Sequence, residues 1–232
     1  MKKFFAKHIG NNFIFDGDEF AHFNVLRCKI GEQVICFGDD GYDYLCEIKE
    51  ITKKQAIASI INKEINTKNP KINLTVFQGL VKGEKLDLIV QKLTEIGISN
   101  LYTFESEYAI AKANNNKIDR LRKISMESCK QCGRNIPLNI YENLKFNEMV
   151  DKLKNFDLIL FANEKNKVRN FDIFKKCKNI AIIVGSEGGF SDNEINLIYS
   201  SGAINFGLGE RILRAETAVI SISAIISYIL NV

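Results

Sequence analysis

Histidine is nearly absent from this chain. Its 232 residues include only His8 and His22, both far upstream of the glycine-rich segments, which argues against a histidine general base there. The same shortage weakens a metal site. Cys129-Lys-Gln-Cys132 is a lone CxxC with no second pair at ligand spacing, so structural zinc is not expected. The pair falls inside a helical pattern rather than after a strand, which disfavours a redox motif. The six cysteines are scattered and do not read as a disulfide framework. No long apolar run follows Met1, because His8, Gly10 and Asn11 interrupt it. A secretion signal is therefore not expected, and a cytoplasmic protein is. The most apolar stretch, 215–232, carries Glu216, Thr217 and serines. It reads as a buried or interface helix rather than a membrane span. Net charge is also small: it is +4, and residues 1–68 carry ten Lys+Arg against ten Asp+Glu, so the whole excess lies beyond them. That is a hint of an anionic partner.

What is present falls into two regions. Before residue 68, the short runs 33–37, 44–51 and 55–62 are apolar and β-branched, and a helical segment at about 19–27 interrupts the pattern. A small β-barrel would explain this. The aromatic residues Phe4, Phe5 and Phe23 are expected in its core. The polar segment Asn66-Thr-Lys-Asn-Pro70 holds one of only two prolines and is the candidate linker. From residue 72 the pattern alternates. Strands are predicted at 72–78, 101–104, 138–141, 157–162, 179–185 and 203–206. Helices are predicted at 84–96, 117–131, 146–154, 192–201 and 215–230. Such alternation indicates an α/β fold with a largely parallel sheet.

Three segments can carry chemistry. In Ile182-Ile-Val-Gly-Ser-Glu-Gly-Gly-Phe190 a buried strand enters a glycine-rich turn, and Ser191 with Glu194 forms a capping box for the next helix. Ligands of open α/β sheets bind at such strand ends, although a tight structural turn has the same composition. The spacing is not the dinucleotide fingerprint, and no Lys-Ser/Thr follows as in a phosphate loop. Glu187 opposes a pyrophosphate, so a cofactor without phosphate, such as S-adenosylmethionine, fits better. The second segment is Phe206-Gly-Leu-Gly-Glu-Arg-Ile-Leu-Arg-Ala-Glu-Thr-Ala218. Its Arg211 and Arg214 can hold a phosphate or a base edge, or pair with Glu210 or Glu216. The third is Glu127-Ser-Cys-Lys-Gln-Cys-Gly-Arg-Asn-Ile-Pro137, where Lys130, Gln131 and Arg134 offer donors at a helix end. Favourable cations at a helix C-terminus are the alternative.

Five spaced motifs carry a resemblance over essentially the whole chain. They are Lys82-Gly-Glu-Lys85, Gln91-Lys-Leu-Thr-Glu-Ile-Gly97, Gln131-Cys-Gly-Arg134, Gly185-Ser-Glu-Gly-Gly189 and Leu208-Gly-Glu-Arg-Ile-Leu-Arg-Ala-Glu-Thr217, preceded by His22-Phe-Asn-Val-Leu-Arg27. This ordered set resembles the ribosomal small subunit methyltransferase E family. Three positions depart from the family pattern. Ser186 stands for proline, Ala215 for threonine, and Tyr108 for the arginine usually found after Glu105-Ser106-Glu107.

The resemblance implies a PUA-like β-barrel at 1–68 and a SPOUT domain with a trefoil knot at 72–232. It also implies a homodimer that methylates N3 of one uridine in 16S ribosomal RNA, free or in the assembled small subunit, with no metal and no membrane. On this basis Leu160, Ala162, Gly185, Glu187, Gly188, Gly189, Leu208, Gly209, Ile212 and Leu213 would hold S-adenosylmethionine and its product S-adenosylhomocysteine. Arg27, Lys85, Gln131 and Arg134 would meet RNA. Arg214, Glu216 and Arg211 would serve catalysis: the arginines favour the uracil anion, and Glu216 or Glu187 accepts the N3 proton. Arg134 and Arg214, just outside the predicted buried segments, are expected to serve RNA rather than stability. The competing functions are ribose 2′-oxygen methylation on the same fold and a non-catalytic RNA-binding or assembly factor. Intact Gly185, Gly188, Gly189, Leu208 and Gly209 argue against the latter.

Overall fold

The computed structural model describes residues 1–38, 40–111, 118–163, 174 and 177–230. Lys117, the predicted start of one helix, and Val232, the end of the apolar C-terminal stretch, lie outside these residues. The chain forms two compact units: residues 1–69 with 129–137, and residues 70–128 with 138–232. The first unit thus recruits a short segment from the middle of the chain.

The first unit is a curled sheet. Its strands β1 (Lys3–Phe5), β2 (Lys7–Ile9), β3 (Asn12–Phe15), β4 (Gln33–Phe37), β5 (Tyr42–Ile51) and β6 (Ala56–Ile65) lie in the order β1-β4-β5-β6-β3-β2. Only Ala6 separates β1 from β2, yet they occupy opposite edges. One continuous segment therefore serves both edges, and the sheet closes on itself, which removes exposed edge groups. Alternate residues point inward: Phe13 and Phe15 on β3, Val34 and Cys36 on β4, Tyr44, Cys46 and Ile48 on β5 are buried. Helix α1 (Gly17–Val25) contributes Phe23, whose ring lies 5.3 Å from that of Phe15, while Phe4 and Phe15 are 5.1 Å apart. Phe4 and Phe23 are core residues as expected, whereas Phe5 is only half-buried. Strands β1 to β3 carry no sequence signal of comparable strength and were not anticipated.

The segment 66–69 is a clasp rather than a loose linker. Asn66 Nδ2 donates to Asp43 Oδ2 (2.8 Å) and to Gly133 O (2.9 Å). Asn69 Oδ1 accepts from the backbone N–H of Asn135 (3.2 Å) and Ile136 (3.1 Å). These bonds satisfy backbone groups that a buried loop would otherwise leave orphaned.

The second unit is a parallel sheet in the order β10-β8-β7-β12-β11-β13, with β9 also paired to β8. Its strands are β7 (Asn73–Gly79), β8 (Asn100–Glu105), β9 (Asn139–Ile140), β10 (Leu144–Lys145), β11 (Leu158–Phe161), β12 (Asn179–Val184) and β13 (Ile204–Asn205). Helices α2 (Lys85–Ile96), α3 (Ile118–Cys132), α4 (Phe146–Leu153), α5 (Asp192–Ser200) and α6 (Ala215–Leu230) alternate with them. Strand β12 shows why the apolar runs are continuous. Ile180, Ile182 and Val184 join the core layer of α2 and α6, and Ala181 and Ile183 join that of α4 and α5. Gly97 ends α2 with φ +101°, a left-handed cap that a glycine adopts without strain. The opposite ends of the strands are tied by an asparagine ladder. Asn73 Nδ2 reaches Asn179 Oδ1 (2.6 Å), Asn100 Nδ2 reaches Asn73 Oδ1 (2.6 Å), and Asn139 Nδ2 reaches Asn100 Oδ1 (3.1 Å).

No helix among the described residues is long and apolar enough to cross a membrane. Among the described residues, no disulfide joins the cysteines. The C-terminal helix α6, expected to be a buried or interface helix, is buried in part. Val219, Ile222 and Ile226 are buried, but Ile225 is 37% and Tyr228 85% exposed.

Candidate active site

Parallel strands bring their carboxyl ends to one edge, and three neighbours, β12, β11 and β13, end together there. Their exits form a cavity of about 580 Å³, within the range typical of small-molecule sites. The exit of β12 is the turn 185–189, closed by Gly189 N–H donating to Ser186 O at 3.1 Å. Buried Gln78, at the end of β7, donates from Nε2 to Gly185 O at 3.0 Å and fixes the turn's first carbonyl. This polar residue ending an apolar strand was the signal that sequence reasoning passed over.

Each glycine of the turn has its own reason. A Cβ on Gly185 would sit 2.8 Å from the Phe190 ring, and one on Gly188 would sit 2.4 Å from Tyr108 O. Gly189 adopts φ +71°. Gly188, which lines the cavity, is thus also demanded by packing against the chain itself. The capping box is present: Glu194 N–H donates to Ser191 Oγ (3.4 Å), and Ser191 N–H donates to Glu194 Oε2 (3.0 Å).

Of the residues predicted to hold cofactor, Ala162, Gly185, Glu187, Gly188, Gly189, Ile212 and Leu213 line this cavity. Leu208 and Gly209, with Arg211, line an adjoining smaller one of about 110 Å³. Leu160 lines neither; it is fully buried between its partners Ile182 and Ile204 and belongs to the core. Arg214 lines the larger cavity and is exposed, as expected. Phe161, Val184, Ile195 and Ala218 add an apolar wall.

Lys85 joins the cavity, but not as a free cation. Its Nζ lies 2.8 Å from Glu187 Oε1 and 3.5 Å from Glu216 Oε2. Glu187 Oε1 also accepts from Lys82 N–H at 3.3 Å. Burial alone would push the Glu187 carboxyl up, but the Lys85 hydrogen bond and backbone donors outweigh it and hold it below the usual carboxylate range. The hydrogen bond that Lys85 donates to Glu187 in turn raises the pKa of Lys85. Glu216 differs: its Oε2 is buried and accepts no hydrogen bond among the described residues. The two carboxylates suit a cationic ligand, the apolar wall suits a flat ring, and no lysine or arginine cradles a phosphate in the turn. Those are the demands of S-adenosylmethionine, a sulfonium with an adenosyl group. Among the described residues, no group of three His, Cys, Asp or Glu side chains is placed to hold a metal ion.

The remaining predicted RNA contacts belong to the first unit. Arg27 is exposed and has φ +51°, a conformation unusual for a side chain-bearing residue. Gln131 is exposed. Arg134 corrects the expectation that it lies outside buried segments: it is 2% exposed, and burial lowers its pKa. Lys130 is engaged with Glu19 at 2.6 Å, while Gly133 O accepts from Lys3 Nζ at 2.8 Å. The segment 129–137 therefore fastens to the barrel unit.

Residues 67–227 match the family described as RNA methyltransferase domain, and residues 15–61 that described as RNA methyltransferase PUA domain. The chain is 29% identical over 229 residues to Ribosomal RNA small subunit methyltransferase E of Bacillus subtilis, spanning 93% of this chain and 90% of that protein. It is 34% identical over 228 residues to the protein of the same name in Buchnera aphidicola, spanning 93% and 88%. The crystal structure of a Ribosomal RNA small subunit methyltransferase E from Neisseria gonorrhoeae bound to S-adenosyl methionine is similar at a TM-score of 0.85. Its identity is 26%, with 98% of this chain and 97% of that one covered.

Proposed function

The chain belongs to the ribosomal RNA small subunit methyltransferase E family, and from that premise we propose that it methylates N3 of one uridine in 16S ribosomal RNA. The observation that carries this reading is the meeting of turns 185–189 and 208–213 around two adjoining cavities at three parallel strand ends. S-adenosylmethionine bound there supplies an electrophilic methyl group. Both turns hold it chiefly by backbone groups, with Ala162 between them. In this reading the chain threads a trefoil knot through the same turns.

N3 of uracil carries a proton and becomes nucleophilic once that proton leaves. Glu216 is the better acceptor of the two carboxylates. Glu187 is engaged by Lys85 and Lys82 and is held below its usual pKa, so it is a weaker base. Glu216 Oε2 lies farther from Lys85, at 3.5 Å, and among the described residues accepts no hydrogen bond in its buried position. Arg214, exposed at the cavity, and Arg211 beside it stabilise the developing uracil anion and its phosphates. Lys85 positions both carboxylates, and Arg27, Gln131 and Arg134 belong to the RNA-binding face.

The enzyme works as a cytoplasmic homodimer on free 16S RNA or the assembled small subunit. The exposed apolar residues Ile225 and Tyr228 on α6 support the second subunit, and sedimentation as a monomer at micromolar concentration would remove it. The activity is tested by transferring labelled methyl from S-adenosylmethionine to small subunits that lack the modification. Digestion and mass analysis should then find the label on the uracil base. Label on ribose would assign the enzyme to 2′-oxygen chemistry, and absence of label would refute the activity.

A further inference from the structure

The turn at 106–109 is built against the cofactor loop. Ser106 Oγ lies 3.4 Å from Ser186 Oγ, and Glu107 N–H donates to Glu194 Oε1 at 2.8 Å. Ala109 N–H closes the turn on Ser106 O at 2.9 Å. Tyr108 sits between these anchors. A Cβ on Gly188 would lie 2.4 Å from Tyr108 O and 2.9 Å from its Cβ, so residue 108 rests directly on a glycine that lines the cavity. Its backbone is held, yet the residue is 50% exposed. Among the described residues, its ring packs against no other aromatic ring, in contrast to Tyr44, Tyr102, Tyr141 and Tyr199. A hydrogen-bonded turn carrying an exposed aromatic residue, packed on a glycine of the ligand cavity, is an arrangement for face-to-face contact.

A uracil entering that cavity must leave its stack in the RNA and lose the contact between base planes. Single-stranded RNA is commonly recognised by aromatic side chains that replace this lost stacking. We propose, on the methyltransferase reading, that Tyr108 is a substrate-positioning residue that stacks on an unpaired RNA base at the cavity rim. Where the family pattern has an arginine, this chain offers a ring face. Its contact is less sensitive to salt and independent of phosphate position.

Tyr108→Ala should lower methyl transfer at limiting RNA by roughly 5- to 150-fold, the span of a base–aromatic stack worth ~1–3 kcal/mol. The loss should fall on KM more than on kcat, with calorimetric affinity for S-adenosylmethionine and the melting temperature unchanged. Tyr108→Phe should restore transfer. A Tyr108→Ala enzyme equal to wild type, or a Tyr108→Phe enzyme as poor as Tyr108→Ala, overturns the proposal. Because the chain has no tryptophan, Tyr108→Trp introduces a single fluorescent reporter at this place. Its emission should be quenched by a protein-free 16S RNA fragment containing the target uridine, and the lack of quenching also overturns the proposal. This optical measurement does not depend on turnover. Quenching without any methyl transfer by the wild-type enzyme would sink the activity and leave the stacking contact standing. Methyl transfer without quenching would do the reverse.

Discussion

The two units of this chain bury their cores by different means. The barrel unit uses rings, with Phe4, Phe13, Phe15 and Phe23 meeting inside a mostly antiparallel sheet. The other uses mainly aliphatic side chains on one face of a parallel sheet, such as Leu74, Ile89, Leu160 and Ile182, with most of its aromatics on the opposite face. The difference has a functional consequence. In an antiparallel sheet neighbouring strand ends alternate, so the carboxyl ends of adjacent strands do not meet at one edge. In the parallel sheet they converge, and turns from β11, β12 and β13 build one cavity. Chemistry is therefore expected in the second unit, and RNA affinity without chemistry in the first.

The largest expected effect tests that division directly. Glu216→Gln should reduce methyl transfer about 10²- to 10⁴-fold, the usual contribution of a positioned acid or base, while cofactor affinity is retained. Glu187→Gln should act instead on cofactor affinity. Equal losses of turnover in both variants would show that neither carboxylate has a distinct role. Next comes the barrel core. Phe15→Ala should cost about 3–5 kcal/mol of stability, the loss common for a buried ring. If the cores are energetically separate, calorimetry at a temperature where the variant remains folded should return an unaltered affinity for S-adenosylmethionine. A weakened affinity would break the comparison.

Glycine substitutions sharpen it on a smaller scale. Gly188→Ala forces a Cβ to within 2.4 Å of Tyr108 O, whereas a Cβ on Gly38 would meet nothing within 4 Å. The first should cost about 1–3 kcal/mol, as overpacking does, and should weaken cofactor binding. Gly38→Ala should leave melting and binding near wild type. A neutral Gly188→Ala would mean that the 106–109 turn yields readily. The smallest effect is on pH. Glu187 has a lowered pKa in the folded chain, so the Lys85–Glu187 bond contributes fully above the unfolded value of about 4.3 and is lost as pH falls through the lower folded value. Cofactor affinity should drop on acidification in wild type and show less of that dependence in Glu187→Gln. Identical pH profiles would remove the ion pair from the site.

How much of this was legible varies with the kind of signal. The parallel strands were readable because both faces are buried, which leaves runs such as Ile180–Val184 unbroken by polar residues. Helix ends were readable where one residue type has one strong local reason, as at Gly97 and Ser191. The two glycine turns were likewise visible as strand exits. Strands β1 to β3 were not, since three or four residues of mixed polarity carry too little pattern and gain stability only by pairing across the closed sheet. Leu160 and Arg134 show a related limit for sites. The resemblance put both among ligand contacts, and both are buried; burial is not contained in motif spacing.

By itself, the sequence determined the division into two regions, the α/β alternation, the two glycine turns at strand exits and, through the resemblance, the family. The first three depend on short-range rules: periodicity, capping and the conformational freedom of glycine. Only the tertiary structure decided that Lys85 bridges Glu187 and Glu216, that Gln78 anchors Gly185, and that Tyr108 rests on Gly188. Those partners are 80 to 131 residues apart in the chain, and a distance of a few ångströms between them exists only once the strands have chosen their neighbours.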